Sequence, residues 1–247
     1  MTKRRPADAG LLSLVIDGAP VPVTIVRSSR RTRTVSFSVG GGGIVVRSPE
    51  GTPVAFIRNA LELRSEWIGR QLAAQQRRPA IEDGGELPYL GGSLRLSVRP
   101  VATRRRCTVR RADDVLEVTL PESLEGTAIA DVLSGTVAAW YRSEGARFLP
   151  GVADHLIRAT GLQPAGVLVC TQRSRWGSCA ADGTIRLSWR LMMLPEPLVE
   201  DVVLHELTHL QHKHHGPAFW AALEKLAPGA RQRARELRRM SRALPRL

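Results

Sequence analysis

The segment from Pro195 to Leu210 limits what this chain can fold into more than any other stretch. Leu198, Val199, Val202, Val203, Leu204, Leu207 and Leu210 make a helix here apolar nearly all round, so it should be buried. Pro195 and Pro197 suit a first helical turn, and Glu196, Glu200 and Asp201 complement its positive end. The pattern predicts a helix over about 195–212. It carries His205, Glu206 and His209, three polar groups that burial penalises unless each finds a partner. The spacing H-E-x-x-H provides one. Histidines four residues apart lie one turn apart on one helix face, so both reach a single ion, and zinc favours imidazole nitrogen. Glu206 directly follows the first ligand, which angles its carboxylate towards a water held by the metal rather than towards the metal. A zinc-bound water has a pKa of roughly 7, and a carboxylate beside it can take the proton and pass it to a leaving group. The expected chemistry is hydrolysis by zinc-activated water with Glu206 as general base.

A catalytic zinc wants a third protein ligand and an open fourth position. His212, His214 and His215 are the candidates. His212 shares the helix face of His205 and His209, but three ligands stacked on one straight helix would spread over about 10 Å of axis and miss a common ion. The ligand must follow a turn, and Gly216-Pro217 marks one. His215 stands just before it, six residues beyond His209, and is preferred to His214.

No run of eighteen apolar residues occurs, so no membrane span is expected. The basic start, Met1 to Gly10, is followed by a short apolar piece that runs into Asp17-Gly18. That piece reads as a strand rather than a leader, and a cytoplasmic protein is expected. Cys107, Cys170 and Cys179 form an odd set without CxxC, which reads as reduced, mostly buried thiols rather than a zinc ribbon or disulfide scaffold. Cys179 as a nucleophile is disfavoured because no dedicated base accompanies it. The net charge is +13, and only Lys3, Lys213 and Lys225 among the 36 basic residues are lysine. Arginine clusters at 27–33, 104–111 and 231–247 could form a surface for nucleotides or nucleic acid, or could simply be solvated. Aromatic residues are not interleaved with them, so a base-stacking platform is not supported.

The periodicity predicts an α+β protein. Short β-branched runs at 12–16, 21–27, 34–39 and 44–47 precede a helical pattern over about 52–76. A second β-rich stretch covers 86–101, 107–111 and 115–120. Helices follow from 127 to about 159, with a kink or division expected at Pro150, then strands near 166–171 and 184–190, the helix at 195–212 and another at 217–226. No internal repeat is legible. The expected division is a β-rich N-terminal region, 1–120, and a helical catalytic region, 121–247, with a short antiparallel sheet.

Three stretches carry a family resemblance: Arg175-Trp176-Gly177-Ser178-Cys179, Trp189-Arg190, and His205 to Leu210 with His215-Gly216-Pro217-Ala218-Phe219-Trp220. Here the chain resembles the YgjP-like metallopeptidases of bacteria, distant relatives of the SprT-like and WLM metalloproteases. Weaker similarity covers Arg30 to Val39, Ile44 to Pro49 and Trp67-Ile68. The resemblance implies a zincin-like catalytic part, His205, His209 and His215 as zinc ligands, Glu206 as the catalytic carboxylate, and a peptide or protein substrate. Ser188 stands where the family usually has asparagine, and Gly216 where serine is usual. Some YgjP-like proteins are associated with nucleotide pyrophosphatase activity, so a zinc-dependent nucleotide pyrophosphatase is the alternative. A nucleic-acid-associated protein with structural zinc is a further one, disfavoured because a structural site has no need of Glu206. Arg175, Trp176 and Arg190 are candidate substrate-binding residues, although Trp176 also suits a core anchor and Arg175 a loop cation. The strand near 184–190 could be an edge that pairs with an extended peptide.

Overall fold

The computed structural model describes residues 11–40, 43–76, 81–102, 106–124, 127–172, 174–245 and 247. The chain forms two compact units, Met1–Arg78 and Pro79–Leu247. In the first, β1 (Leu11–Ile16), β2 (Ala19–Ser28), β3 (Ser36–Gly40) and β4 (Gly43–Pro49) form a sheet ordered β1-β2-β4-β3. Alternation along the strands puts Leu14, Ile16, Val21, Val23, Ile25, Ile44 and Val46 into one core. Ile57 and Leu61 of α1 (Val54–Glu62) and Ile68 of α2 (Ser65–Gln76) complete it. The single helix expected over 52–76 is thus two. The break falls at Leu63, which is 85% exposed and has no core to hold it.

The second unit opens with a sheet of the same design. Strands β5 (Glu86–Tyr89), β6 (Gly92–Val101), β7 (Thr108–Ala112) and β8 (Val115–Pro121) are ordered β5-β6-β8-β7. Each sheet has an antiparallel first hairpin, then a parallel pair (β2 with β4, β6 with β8) and an antiparallel outer strand. Both first hairpins turn through two left-handed residues, Asp17 and Gly18 at φ 48° and 80°, Leu90 and Gly91 at 47° and 91°. That is the turn whose twist matches antiparallel strands. The duplication escapes the sequence because a strand needs only alternation, which many different side chains satisfy.

Helix α3 (Thr127–Thr160) follows, then β9 (Gly166–Cys170), β10 (Gly177–Cys179) and β11 (Thr184–Ser188), a 3₁₀ turn at Trp189–Met193, and helices α4 (Glu196–Thr208), α5 (Pro217–Leu226) and α6 (Ala230–Ala243). The fold is α+β. Leu94, Leu96, Leu116 and Val118 of the sheet share one hydrophobic cluster with Val137 and Tyr141 of α3, Leu191 of the turn and Val203 of α4. The division expected near residue 120 therefore falls inside a continuous core. The small sheet is ordered β10-β11-β9, antiparallel between β10 and β11 but parallel between β11 and β9. Pro150 does not divide α3. Leu149 and Ala153 beside it are 0% and 1% exposed, so packing on both sides compensates the one lost backbone hydrogen bond. Tyr141 of α3 donates to the Pro88 carbonyl at 2.6 Å, and its ring stacks 6.1 Å from that of Trp189. Among the described residues no helix is long and apolar enough to cross a membrane.

Two glycines of α3 give opposite expectations. A Cβ at Gly145 would stand 3.1 Å from the Trp189 Cα and Cβ, whereas one at Gly135 meets nothing within 4 Å. Gly145→Val is expected to destabilise by about 1–3 kcal/mol through overpacking, while Gly135→Ala stabilises by about 0.5–1 kcal/mol through helix propensity. Urea denaturation of both variants checks the difference in sign.

Candidate active site

Helix α4 is buried along Leu198, Val199, Val202, Val203, Leu204, Leu207 and Thr208. It ends at Thr208, four residues before the expected end, with His209 as its C-cap. The chain reverses through 210–215, and Gly216-Pro217 starts α5, as the proline predicts. This reversal brings His215 back over the end of α4. Its Nε2 lies 2.9 Å from Nε2 of His205 and 3.1 Å from Nε2 of His209. The potential ligand atoms of the three residues all lie within 4.8 Å of one another. Three nitrogens bound tetrahedrally at ~2.0–2.1 Å are about 3.3 Å apart, so the donor set fits one ion with shifts of a few tenths of an ångström. His209 Nδ1 is 2.9 Å from the His212 carbonyl. A carbonyl only accepts, so Nδ1 carries the proton and Nε2 presents its lone pair to the common point. His212 contributes only this carbonyl, and the carbonyl of exposed His214 accepts from Gly216 N–H at 2.8 Å.

Phe219 of α5 holds the three rings together. It is 1% exposed, and its centroid lies 4.8, 4.6 and 4.8 Å from those of His205, His209 and His215. Burial, and then the neighbouring histidines, push His205 down to about 4, and burial also lowers His209. Both are therefore neutral near pH 7, the form a metal needs. Glu206 is 6% exposed, and burial pushes its carboxyl up to about 7, against the Cys179 backbone N–H that hydrogen-bonds it and the positive charge of Arg175. A carboxyl so placed is matched to proton transfer near neutrality. Cys179 itself has its thiol pushed up by burial, opposite to the shift that activates a nucleophile.

Glu206 faces Gly177 of β10 at a distance that excludes any side chain. A Cβ there would lie 2.7 Å from both Cγ and Oε1 of Glu206. Strand β11, read from sequence as an edge for peptide pairing, is instead central between β10 and β9. The edges are β9 and β10; the one against Glu206 is β10, whose three residues are too few to register as a strand in periodicity. Trp176 is half-buried, donates from Nε1 to Ser241 Oγ at 3.0 Å, and carries the Arg190 guanidinium 5.2 Å over its ring. Arg175 is exposed in the loop before it. Ser188 is fully buried and satisfied, donating to the Gln172 carbonyl at 3.0 Å and accepting from Arg190 N–H at 3.4 Å. Gly216 caps α5 without a side chain, and serine there would add only a few tenths of a kcal/mol.

A family model described as "YgjP-like, metallopeptidase domain" matches residues 33–240. The chain belongs to that family. Two solved structures are also similar in part. The metallopeptidase zymogen of Pyrococcus abyssi abylysin aligns at 24% identity over 39% of this chain and 99% of that one, with a TM-score of 0.34. That of Methanocaldococcus jannaschii jannalysin aligns at 18% identity over 37% and 93%, with a TM-score of 0.33. No curated protein matches. A YgjP-like metallopeptidase implies a metal ion, and the three converging imidazoles are a cluster able to hold one.

Gly177→Ala tests the contact between β10 and Glu206. Displacing the carboxylate by up to 1 Å is expected to lower peptide turnover about 100-fold, with metal content preserved. Unchanged turnover would show that Glu206 can move aside without consequence.

Proposed function

We propose that this YgjP-like protein is a zinc-dependent peptidase in which His205, His209 and His215 hold the ion and Glu206 is the general base. The convergence of three imidazole Nε2 atoms beside a buried carboxylate carries the reading. Zinc, when bound, supplies Lewis-acid activation of water and of the scissile carbonyl. The chain's own residues do the rest. Glu206, oriented by the Cys179 N–H and by Gly177, accepts a proton from water and returns it to the departing amine.

Substrate backbone is expected along the outer edge of β10. Trp176 C=O and Ala180 N–H pair with β11, so the groups of Gly177 and Cys179 face the other way. Cys179 N–H serves Glu206, and the Gly177 N–H and C=O are placed for an extended peptide. Arg175 is assigned to the substrate carbonyl oxygen, near enough for its charge to act on Glu206. Arg190 is assigned to positioning Trp176, on whose ring it stacks. The three free cysteines suit a reducing, cytoplasmic setting.

Purified protein is expected to bind one zinc. His205→Ala, His209→Ala and His215→Ala lose it, and His214→Ala keeps it, as measured by metal analysis. Zinc retained by His215→Ala and lost by His214→Ala would overturn the ligand set. Glu206→Gln is expected to keep zinc and lower cleavage of a peptide library by about 100-fold to 10,000-fold. If that variant loses zinc, Glu206 is a ligand and the mechanism fails. Bound zinc would lower the carboxyl further from the value of about 7 that burial gives it against Arg175, so kcat/KM for peptide cleavage should fall with acid below that value, with the limb absent from Glu206→Gln.

A further inference from the structure

Helix α6 looks like a basic tail: six of the fourteen residues of Ala230–Ala243 are arginine. Its other face is apolar. Ala230, Ala234 and Leu237 recur at helical spacing and border a cavity of about 390 Å³. The same cavity is lined by His205, Glu206 and His215, so it continues directly from the metal site. Leu198 and Val202 of α4 and Leu223 of α5 supply more of its wall, and Trp176 and Trp220 border it. Arg233 and Asp201, which also line it, form a two-pronged pair, with Nη2 2.7 Å from Oδ1 and Nε on Oδ2. They neutralise each other and fasten α6 to α4.

We propose that α6 is the specificity wall of this site: the cavity receives a bulky apolar side chain of the peptide, adjacent to the scissile bond, against Ala234 and Leu237. The inference rests on the peptidase reading above and adds its substrate class. A scissile carbonyl must lie within about 3–3.5 Å of the reacting groups, and a side chain next to it is then within reach of a cavity that Glu206 itself lines. Away from Glu206, which stands at the metal-site end and is engaged by the Cys179 N–H, the wall offers a charged side chain no unpaired partner of opposite sign except at Arg238, which is exposed. Desolvating such a group is unfavourable, whereas an aliphatic or aromatic one gains from leaving water. The volume exceeds what a small side chain fills, because Ala230 and Ala234 stand where larger residues would close it. The wall is also fixed in place. Ser241 Oγ accepts from Trp176 Nε1 at 3.0 Å and donates to the Leu237 carbonyl at 2.6 Å, tying α6 to the loop that leads into β10.

The test uses full-length, zinc-loaded protein and three simple hydroxamates, which bind through the metal and carry different side chains: acetohydroxamate, 3-phenylpropanohydroxamate and 6-aminohexanohydroxamate. Calorimetry is expected to give at least tenfold tighter binding of the phenyl compound than of acetohydroxamate, and no such gain for the amino compound. One methylene in an apolar pocket is worth roughly 10-fold to 200-fold in discrimination. Ala234→Phe, which fills the cavity, is expected to reduce the ratio of the two affinities at least tenfold, with zinc content equal to wild type. Ala234→Met serves if the larger side chain prevents folding, and should give a smaller change in the same direction. A wild-type ratio near one, a preference for the amino compound, or a ratio unchanged in the filled variants would overturn the pocket while leaving the peptidase reading intact. Failure of the zinc-loaded protein to bind any of the three would instead overturn the metal reading on which it rests.

Discussion

The structure depends on the burial of α4 together with the polar groups it carries. Two half-buried imidazoles and the exposed one of His215, with nitrogens 2.9 and 3.1 Å apart next to a carboxylate 6% exposed, are an unfavourable arrangement unless something couples them. Neutralisation is the response of the protein by itself: His205 goes down to about 4 and Glu206 up to about 7. Both shifts leave the residues in forms suited to metal chemistry, the His205 imidazole with a free lone pair and the Glu206 carboxyl ready to exchange a proton near neutrality. Phe219 keeps the rings together from below, and the His212 carbonyl fixes the tautomer of His209. Positioning of this kind is what holds first ligands in place in metal sites generally.

Around that helix the fold works by close approach. Gly177 lets β10 come against Glu206, and Gly145 lets α3 lie on the backbone of the 3₁₀ turn at Trp189. The sheets have a different task. Each of the two four-stranded sheets turns one alternating face into its own unit's core, and in the second unit that core is continuous with α3 and α4. The repeated design of the two sheets shows how little identity such a module requires, since strand order and turn twist are set by backbone geometry.

The net charge of +13 is less concentrated than the sequence makes it look. Arg27 donates to the backbone carbonyls of Glu50 and Thr52, Arg110 pairs with Glu117, and Arg111 lies over the Tyr89 ring. In the C-terminal cluster Arg233 is bound to Asp201 and Arg231 covers Trp220. Exposed pairs of this kind add little stability, but they use guanidinium groups for packing and orientation rather than leaving them to a polyanion. The cluster at 104–111 lies only partly within the described residues, since 103–105 fall outside them.

By itself the sequence determined the α+β composition, the largely apolar helix α4, the H-E-x-x-H arrangement and the turn at Gly216-Pro217, because each is a local matter of periodicity, capping or fixed spacing along one helix. It also ranked His215 above His212 by reach, and above His214 by its place just before that turn, six residues beyond His209. Tertiary structure decided what depends on distant segments meeting. It placed β10 rather than β11 at the edge, set Gly177 against Glu206, put Phe219 beneath the three imidazoles, and kept α3 continuous through Pro150 because Leu149 and Ala153 are held in the core. It joined the 86–121 strands to the helical core and turned the apolar face of the arginine-rich α6 towards the cavity beside the site. The physical reason is common to all of these. Local propensity and hydrophobic period fix which residues seek burial, whereas the choice of partner depends on which surfaces fit without a clash and without an unsatisfied polar group.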